Sequence, residues 1–571
     1  NGARPNFDDS LNDPYYYNGI FANFYDEDLF AWDHIDSSEP YYTNTNPGDL
    51  SVEMICNLDS TYPGTTEPDF LTMFLPGSGQ TVFRSSWDSN AIYMCLLGEN
   101  GIARTGGLAH EHPDNLSYII YAYGELLAMD SGYISFDQHD LVRYADNHSL
   151  ILVDGEGPSA SNSAASGGTD AFIQDYFDLP ELDYSEVVTS YQNVNFSRNM
   201  SFIQDSFFIL SDIINGSEIH TYDWLLHGNG GGDTGNSFQL TDNTAIYNVN
   251  GIELNVFHST DHSIILDSYD DYHEVAYDVA GEHTVTRASL DAANAVISAF
   301  LVPAPEDTEI SYIAFDIENC AGGILEMDNR STVTFVKDDN YQIEFDFGQI
   351  PVSTNAKVTN IQKTESEIPA IIQLIDGTTL EYNEVTLVEA SEITDVNLNI
   401  FDGSADGYVR SACQLNLFTG NMPTTVDGAL SYTYDTGLLT LDLAEDTYFH
   451  LDVIWSLVNT GSGDNVIVET IKLYANYPNP FNPDTVIDFQ ISGNNRKNVE
   501  LAIYNLKGQK IRTLDVELNN LNYATFGTTG VEGTATWDGR DHNDQSVPSG
   551  IYLYRLNAGS ISQTKKMILL K

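Results

Sequence analysis

Short apolar runs of about four to eight residues, separated by Gly, Asn, Asp and Pro, recur along the whole chain. Residues 116–123 (LSYIIYAY) and 125–130 (ELLAMD) are two of these runs, and Gly124 between them predicts a tight hairpin. Residues 149–153 (SLILV) form a third run, which ends at an Asp-Gly turn. Long amphipathic helical patterns are almost absent, so the pattern predicts an all-β protein.

The spacing of strands and turns divides the 571-residue chain into four segments. We expect an aromatic and acidic lead-in over residues 1–69, a large antiparallel β-sandwich over 70–385, a small β-module over 386–470 and a separate unit of short alternating strands over 471–571. The lead-in holds more Tyr, Phe and Trp than a solvated tail carries, so we expect it to pack against a partner surface.

Acidic residues outnumber basic ones by 84 to 22, which gives a net charge of −62. Such a surface repels nucleic acid and anionic membranes, and it is typical of a secreted protein in salt-rich water. The sequence lacks an apolar run of the roughly 18 residues that a membrane span requires. The chain begins at Asn1 without an initiator Met, which indicates a processed or truncated product.

Basic residues are so scarce that their positions are informative. Eleven of the 22 follow residue 471, so the preceding 471 residues share the other eleven. Four of these lie within or near a group of histidines between residues 110 and 148, namely Arg84, Arg104, Arg143 and Arg198. Each is a candidate to bind an anionic substrate, and each is equally a candidate partner for a structural Asp.

The four cysteines are too widely spaced for a zinc-ribbon pattern. Buried thiols and one or two disulfides both stay open as interpretations. Among the possible disulfides we favour the pair Cys56 and Cys95.

A candidate metal site is formed by His112, Asp130 and His148, with spacings of 130 − 112 = 18 and 148 − 130 = 18. Residues at strand ends can converge on one point, and His110 shares a face with His112 if both lie in a strand. Two imidazoles and one carboxylate suit Zn²⁺, with another divalent metal as an alternative. Ordinary polar residues on a sheet surface are the competing interpretation.

Several motifs follow one another over residues 82–155: the strand VFRSSWDSNAIYMCLLGENG, a His-x-His-Pro-Asp-Asn core, an Asp-Ser-Gly-Tyr turn and a His before LILVDG. Together they resemble the β-sandwich half of the heparinase II/III-like polysaccharide lyases, and the similarity extends over roughly residues 1–300. The resemblance implies zinc binding by His112, Asp130 and His148, and it places His110 in the catalytic cleft. Ser149 departs from the family pattern, because relatives usually carry Asn there.

The resemblance implies a lyase that cleaves a uronate-containing anionic polysaccharide by β-elimination. His110 together with Tyr133 or Tyr144 would transfer protons, and Arg104 or Arg143 would bind substrate carboxylates. In these lyases the sugar cleft lies between an α/α toroid and the sandwich, and the toroid is not in this sequence. A separate toroid portion is therefore an expected partner.

Two other functions stay open. A non-catalytic carbohydrate-binding or cell-surface structural protein would need only the sandwich. A metal-dependent hydrolase would use the same ligands, but it also needs a general base. Glu111 lies between His110 and His112 and would face the opposite side of a strand from them, so it does not supply that base.

The last hundred residues carry the motif Tyr-Pro-Asn-Pro-Phe-Asn-Pro at 477–483, followed by short alternating strands with Gly and Asn turns. This part resembles the immunoglobulin-like C-terminal sorting modules of the bacterial type IX secretion route. The resemblance implies a secreted or cell-surface protein and a partner in the secretion machinery. The change to a more basic composition after residue 471 agrees with a separate module.

Overall fold

The computed structural model describes residues 70–101, 112–159, 168–241, 243–315, 317–364, 366–401, 403–457, 467–492, 499–505, 507–521, 530–558 and 561–570. The chain divides into two compact units. One reaches to Met327 and includes Val336–Asp338, and the other consists of Asp328–Phe335 and Asp339–Lys571. None of the helices in the described ranges is long and apolar enough to cross a membrane.

In the described part of the first unit, one sheet has five strands in sequence order. These are β1 (Met73–Leu75), β2 (Gln80–Arg84), β3 (Tyr93–Leu97), β4 (Tyr118–Ala122) and β5 (Glu125–Ala128). A second sheet has ten described strands, in the order β11-β12-β13-β15-β10-β9-β8-β7, with β14 paired to β15 and β6 paired to β10. Its strands are β6 (Ile151–Val153), β7 (Ala171–Leu179), β8 (Leu182–Tyr191), β9 (Val194–Ile203), β10 (Phe207–His227), β11 (Ser237–Leu240), β12 (Thr244–Val249), β13 (Ile252–Thr260), β14 (Ile265–Ala276) and β15 (Val279–Pro305).

Apolar side chains from both sheets form one buried cluster. Phe83 of β2 lies 6.2 Å from Phe202 of β9 and 6.0 Å from Phe208 of β10, measured between ring centroids. Strand β7 shows the underlying pattern, since its residues alternate strictly between buried and exposed. Two sheets that share a core in this way form a β-sandwich, so the all-β prediction is confirmed. A hairpin of β16 (Ile310–Ala314) and β17 (Ala321–Met327) follows the sandwich.

The second unit is also built from β-strands, and its described strands pair mostly in antiparallel fashion, with Thr425–Asp427 and Ile561–Leu569 as a parallel pair. Its strands are β18 (Arg330–Val336), β19 (Ile343–Phe347), β20 (Ile350–Thr354), β21 (Val358–Lys363), β22 (Ile371–Tyr382), β23 (Val385–Phe401), β24 (Ser404–Val409), β25 (Cys413–Phe418), β26 (Thr425–Asp427), β27 (Ser431–Asp435), β28 (Leu438–Leu443), β29 (Thr447–Asp452), β30 (Ile467–Leu473), β31 (Thr485–Ser492), β32 (Val499–Asn505), β33 (Lys510–Leu514), β34 (Glu517–Leu521), β35 (Gly530–Trp537), β36 (Gly550–Ala558) and β37 (Ile561–Leu569). The sequence-based boundary between residues 385 and 386 falls at the start of β23, which pairs with β22 in a hairpin. The four predicted segments therefore remain a proposal.

The cysteines in the described ranges are free and buried, namely Cys95, Cys320 and Cys413. Cys56 lies outside the described residues. The favoured pairing of Cys56 with Cys95 has no support in a structure that leaves Cys95 free and fully buried.

The β7–β8 hairpin pairs the exposed Asp178 with Asp183, whose carboxyl group is buried. Burial raises the pKa of Asp183 to about 9, a hydrogen bond from the Thr72 hydroxyl opposes this rise, and the charge of nearby Asp178 adds to it. The pKa of Asp178 is also raised, with burial as the main cause. A buried carboxyl that holds its proton in the folded state, and releases it near pH 4 in the unfolded chain, makes folding pH-dependent.

We expect the stability of the first unit to fall as pH rises from about 4 toward 9, because in this window the folded state binds more protons than the unfolded state at Asp183. Replacing Asp183 with Asn should flatten this dependence, since an amide has no proton to lose. Thermal melting at pH 5 and pH 8.5 measures the effect. The control is Asp291→Asn, which changes an exposed carboxylate that accepts a bond from Thr221. Equal slopes for the wild type and Asp183→Asn would contradict the assignment.

Candidate metal centre

The first element of the candidate site is the β4–β5 hairpin, which ends just before Asp130. Tyr123 and Gly124 make its turn with φ angles of 54° and 86°, a left-handed conformation that favours Gly at the second position. The strands pair in antiparallel fashion from Ala122 and Glu125, so the predicted hairpin is confirmed. The hairpin delivers Asp130 into the interior, where it is buried.

The second element is a 3₁₀ turn at Ala145–Asn147 that leads into His148. The Asn147 side chain accepts a bond from the backbone N–H of Tyr144 at 2.8 Å, and the Ser131 hydroxyl donates to the Asn147 carbonyl at 2.7 Å. These bonds fix the turn against the residue that follows Asp130. His148 is consequently fully buried at the end of a defined turn.

Asp130 and His148 are in direct contact. The distance from His148 Nδ1 to Asp130 Oδ2 is 2.7 Å, so the ring donates from Nδ1 when it is neutral. His148 Nε2 is buried and has no hydrogen-bond partner. Each nitrogen of the His148 ring could therefore bind a metal ion, and Asp130 lies beside one of them.

A second carboxylate completes this group. Asp114, Asp130 and His148 each offer a donor atom, and these atoms all lie within 4.8 Å of one another. All three side chains are buried, and two of them are carboxylates. Carboxylates gathered in a low-dielectric interior need a compensating positive charge. The oxygen and imidazole donors therefore fit a divalent cation.

His112, the remaining predicted ligand, is also buried beside this group. Its ring centroid lies 5.3 Å from that of His148. His112 Nε2 is also 3.4 Å from Nε2 of His139. The structure therefore brings the predicted residues His112, Asp130 and His148 together, and it adds Asp114 and His139, which the sequence did not single out.

The segment after Asp130 gathers most of the other predicted site residues around His139. The Tyr133 ring lies edge-on to the His139 ring, with centroids 5.6 Å apart. Arg143 Nη1 lies 3.3 Å from His139 Nδ1 and 3.6 Å from Asp140 Oδ1. Tyr144 is 52% exposed and lies 6.0 Å from the Arg143 guanidinium, measured to the ring centroid. A phenol and a guanidinium thus lie beside the histidine that contacts His112.

Two predicted residues, His110 and Arg104, lie outside the described residues, so their positions are not defined. Two other arginines were candidates for an anion-binding patch. Arg84 lies over the Trp87 ring at 4.3 Å. Arg198 is fully buried and paired with Asp212, so the structure agrees with the second of its two interpretations, a structural partner for an Asp.

A second group of buried histidines lies in the same unit, on three neighbouring strands. His227 Nδ1 and His283 Nε2 are 2.8 Å apart, and the His283 and His273 ring centroids are 5.2 Å apart. Burial lowers the pKa of His283 to about 3 and also lowers the pKa of His227 and His273. These three rings are therefore neutral at ordinary pH. Their spacing in sequence, 227, 273 and 283, gave no signal of the cluster.

Comparison with known families and proteins gives two matches to family models. Residues 72–298 match the heparinase II/III-like C-terminal family. Residues 475–531 match the secretion system C-terminal sorting domain. The first match contains every described residue of the candidate site, and the second covers the Tyr-Pro-Asn-Pro-Phe-Asn-Pro motif.

The individual proteins to which this chain is similar share a low sequence identity with it. A heparin-sulfate lyase of Pedobacter heparinus is 26% identical over 156 residues, which cover 25% of this chain and 21% of that protein. The crystal structure of heparan sulfate lyase HepC from Pedobacter heparinus gives a TM-score of 0.46 at 16% identity, covering 59% of this chain and 50% of that one. The crystal structure of heparinase III gives a TM-score of 0.47 at 14% identity, covering 58% of this chain and 50% of that one.

The chain thus spans about half the length of these solved proteins and 21% of the curated relative. The family models match defined parts of the chain, and these parts agree with the resemblances seen in the sequence. Residues 72–298 are therefore a heparinase II/III-like C-terminal domain, and residues 475–531 are a secretion system C-terminal sorting domain, which marks the chain for secretion and the cell surface.

Proposed function

We propose that this chain is the β-sandwich part of a secreted polysaccharide lyase that cleaves a uronate-containing anionic polysaccharide by β-elimination. The observation that carries the proposal is the buried donor group of Asp114, Asp130 and His148 within the region that matches the heparinase II/III-like family. The relative named as a heparin-sulfate lyase supports a sulfated or carboxylated glycan as the substrate class.

The proposed cofactor is Zn²⁺, although another divalent metal fits the same donors. His112, Asp130 and His148 would hold the ion. Asp130 and His148 belong to the buried donor group, in which Asp114 offers a further carboxylate, and the His112 ring centroid lies 5.3 Å from that of His148. The unpartnered Nε2 of buried His148 supports this assignment, since a buried lone pair without a partner is costly. Bound there, the ion would neutralise the buried carboxylates and brace the segments that carry them.

β-Elimination breaks two bonds at neighbouring carbons of a uronate. A base takes the proton from C5, the electron pair of that bond forms a C4–C5 double bond, and the C4–O bond breaks as the leaving oxygen gains a proton. The reaction needs a positive group at the carboxylate, a base at C5 and an acid at the leaving oxygen. Water is not a reactant, so the proposed ion is not required to activate one.

The segment around His139 supplies suitable groups for these tasks. Tyr133 carries a phenol that can give or take a proton, and its ring lies against His139. Arg143 has five N–H donors, so its contacts with His139 and Asp140 leave donors for a substrate carboxylate. We propose Tyr133 as an acid or base and Arg143 as the carboxylate-binding group. His110, Tyr144 and Arg104 stay in the proposed set as predicted from the sequence.

The test is an assay of the exported protein with heparan sulfate, alginate and ulvan, in the presence and absence of a separately supplied α/α toroid portion. We expect ultraviolet absorbance from an unsaturated uronate to rise together with new reducing ends on at least one polymer. Reducing ends without that absorbance would indicate hydrolysis. Glycan binding without either signal under all conditions would favour a non-catalytic carbohydrate-binding or cell-surface protein.

A further inference from the structure

We infer that Arg198 is a positioning residue of the proposed metal centre, because one buried guanidinium holds both backbone segments that present the metal-binding side chains. The inference rests on the proposed function, since it concerns the same site. Arg198 does not contact the proposed ligands themselves, and it acts through two backbone carbonyl groups.

The first observation is the pair of bonds from Arg198 to the site segments. Arg198 lies on β9 and is 0% exposed. Its Nη1 donates to the carbonyl oxygen of Leu116 at 2.6 Å and to the carbonyl oxygen of Ser149 at 3.1 Å. Leu116 is two residues after Asp114, and Ser149 directly follows His148. A single nitrogen therefore sets the separation between the segment of Asp114 and the segment of His148.

The second observation is that the guanidinium is itself held rigidly. Arg198 Nε and Nη2 donate to the two oxygens of Asp212, each at 2.8 Å. Asp212 is the direct cross-strand partner of Arg198 on β10, and it also accepts a bond from the Trp224 indole at 3.1 Å. Burial alone would lower the pKa of Arg198, but the Asp212 charge raises it, so the group stays cationic. The Arg198 side chain is thereby fixed to the ten-stranded sheet.

The third observation concerns Ser149, which is fixed a second time. Its hydroxyl accepts a bond from the backbone N–H of His227 at 3.1 Å, at the end of β10. The residue after His148 is therefore attached to the sheet by both its carbonyl and its side chain. Displacement by even an ångström would lengthen the 2.7 Å bond between His148 and Asp130 beyond hydrogen-bonding range.

A buried ion pair is a weak source of stability, because replacing both partners by apolar residues of similar volume is often neutral or stabilising. We therefore attribute the role of the Arg198–Asp212 pair to the direction in which the guanidinium donates its remaining hydrogen bonds. A planar guanidinium can bind one carboxylate through two nitrogens while its third points elsewhere, and a lysine ammonium cannot reproduce that fork. The third nitrogen of Arg198 is the one that reaches Leu116 and Ser149.

The experiment compares Arg198→Lys with two controls. Arg287→Lys changes another bidentate pair, in which Arg287 binds Asp267 at 2.9 and 2.6 Å. Phe177→Leu removes part of a buried ring on β7 and provides a loss of stability unrelated to the site segments. The readouts are Zn²⁺ affinity, the visible absorption spectrum of the Co²⁺-substituted protein and the melting temperature. A structural role alone changes only the last of these.

We expect Arg198→Lys to weaken Zn²⁺ binding by about 10- to 100-fold, the usual effect of replacing a residue that orients metal ligands. The Co²⁺ spectrum should change as well. Both controls should keep the wild-type affinity and spectrum. If Arg198→Lys behaves like Phe177→Leu, the inference about Arg198 is overturned while the metal centre stands. If the wild type binds neither Zn²⁺ nor Co²⁺, the proposed centre fails, and the positioning role fails with it.

The double variant Arg198→Met with Asp212→Leu covers the case in which Arg198→Lys is too unstable to purify. It removes both buried charges together, so we expect it to fold. It also removes the donors to Leu116 and Ser149, so we expect the same weakened metal binding. A folded double variant with wild-type affinity and an unchanged Co²⁺ spectrum would overturn the inference.

Discussion

Replacing His148 with Ala is expected to lower Zn²⁺ affinity by more than about 100-fold, which exceeds the usual effect of losing a group behind a ligand. His148 holds the Asp130 carboxylate at 2.7 Å and is the only imidazole among the three donors that lie within 4.8 Å of one another in the described residues. Its loss removes the imidazole of the donor group and the ring that contacts the Asp130 carboxylate. Zinc content after dialysis, measured together with the melting temperature, provides the test, and both values should fall.

The matched control for this prediction is His262→Ala. His262 also forms a short imidazole–carboxylate contact, 2.7 Å from Asp261, but it is partly exposed. Removing it should leave the zinc content unchanged and the melting temperature almost unchanged. Zinc content in His148→Ala equal to that of His262→Ala would contradict the assignment of His148 as a ligand.

Replacing Tyr133 with Phe is expected to lower the rate of β-elimination by about 10²- to 10⁴-fold, the usual contribution of a positioned acid or base. The change removes one oxygen and keeps the ring that lies against His139. Zinc content and melting temperature should therefore stay at wild-type values. The rate of appearance of unsaturated uronate, measured at saturating polymer, checks the prediction.

Tyr144→Phe serves as the comparison, since Tyr144 was an equal candidate in the sequence. The structure places it 52% exposed and next to Arg143, whereas the half-buried Tyr133 has its ring against that of His139. We expect a much smaller loss of rate in Tyr144→Phe. If Tyr144→Phe loses activity and Tyr133→Phe does not, the two roles must be exchanged.

Local sequence patterns predicted the elements that carry the site. The apolar runs on either side of Gly124 form the β4–β5 hairpin, and the run after His148 becomes β6. Regular spacing also predicted that His112, Asp130 and His148 lie near one another, and their rings and carboxylate are close together in the structure. These features depend on residues within a few strands, where alternation and turns determine side-chain direction.

The roles of Asp114 and His139 could not be read from the sequence with the same ease. Asp114 lies in the His-x-His-Pro-Asp-Asn motif, but an Asp next to Asn in a loop is common and carries no specific signal. His139 becomes informative only when a 3₁₀ turn at His139–Leu141 brings its ring to His112. The presence of a histidine between Asp130 and His148 was the one available hint.

The role of Arg198 depends on long-range packing. In a chain with a net charge of −62, an arginine near the histidines looked like an anion-binding group. Its actual partner, Asp212, is opposite it on the next strand, and the carbonyl groups that it binds are 82 and 49 residues away in sequence. Composition reports how many charges a chain has, but only the fold decides which of them are buried.

The central claim is that a metal ion is bound among His112, Asp130 and His148. X-ray diffraction data collected on both sides of the zinc absorption edge, from crystals grown with Zn²⁺, test it most directly. We expect an anomalous peak within bonding distance, about 2.0–2.2 Å, of ring nitrogens and a carboxylate oxygen of these residues. A map without a peak at this position would contradict the account.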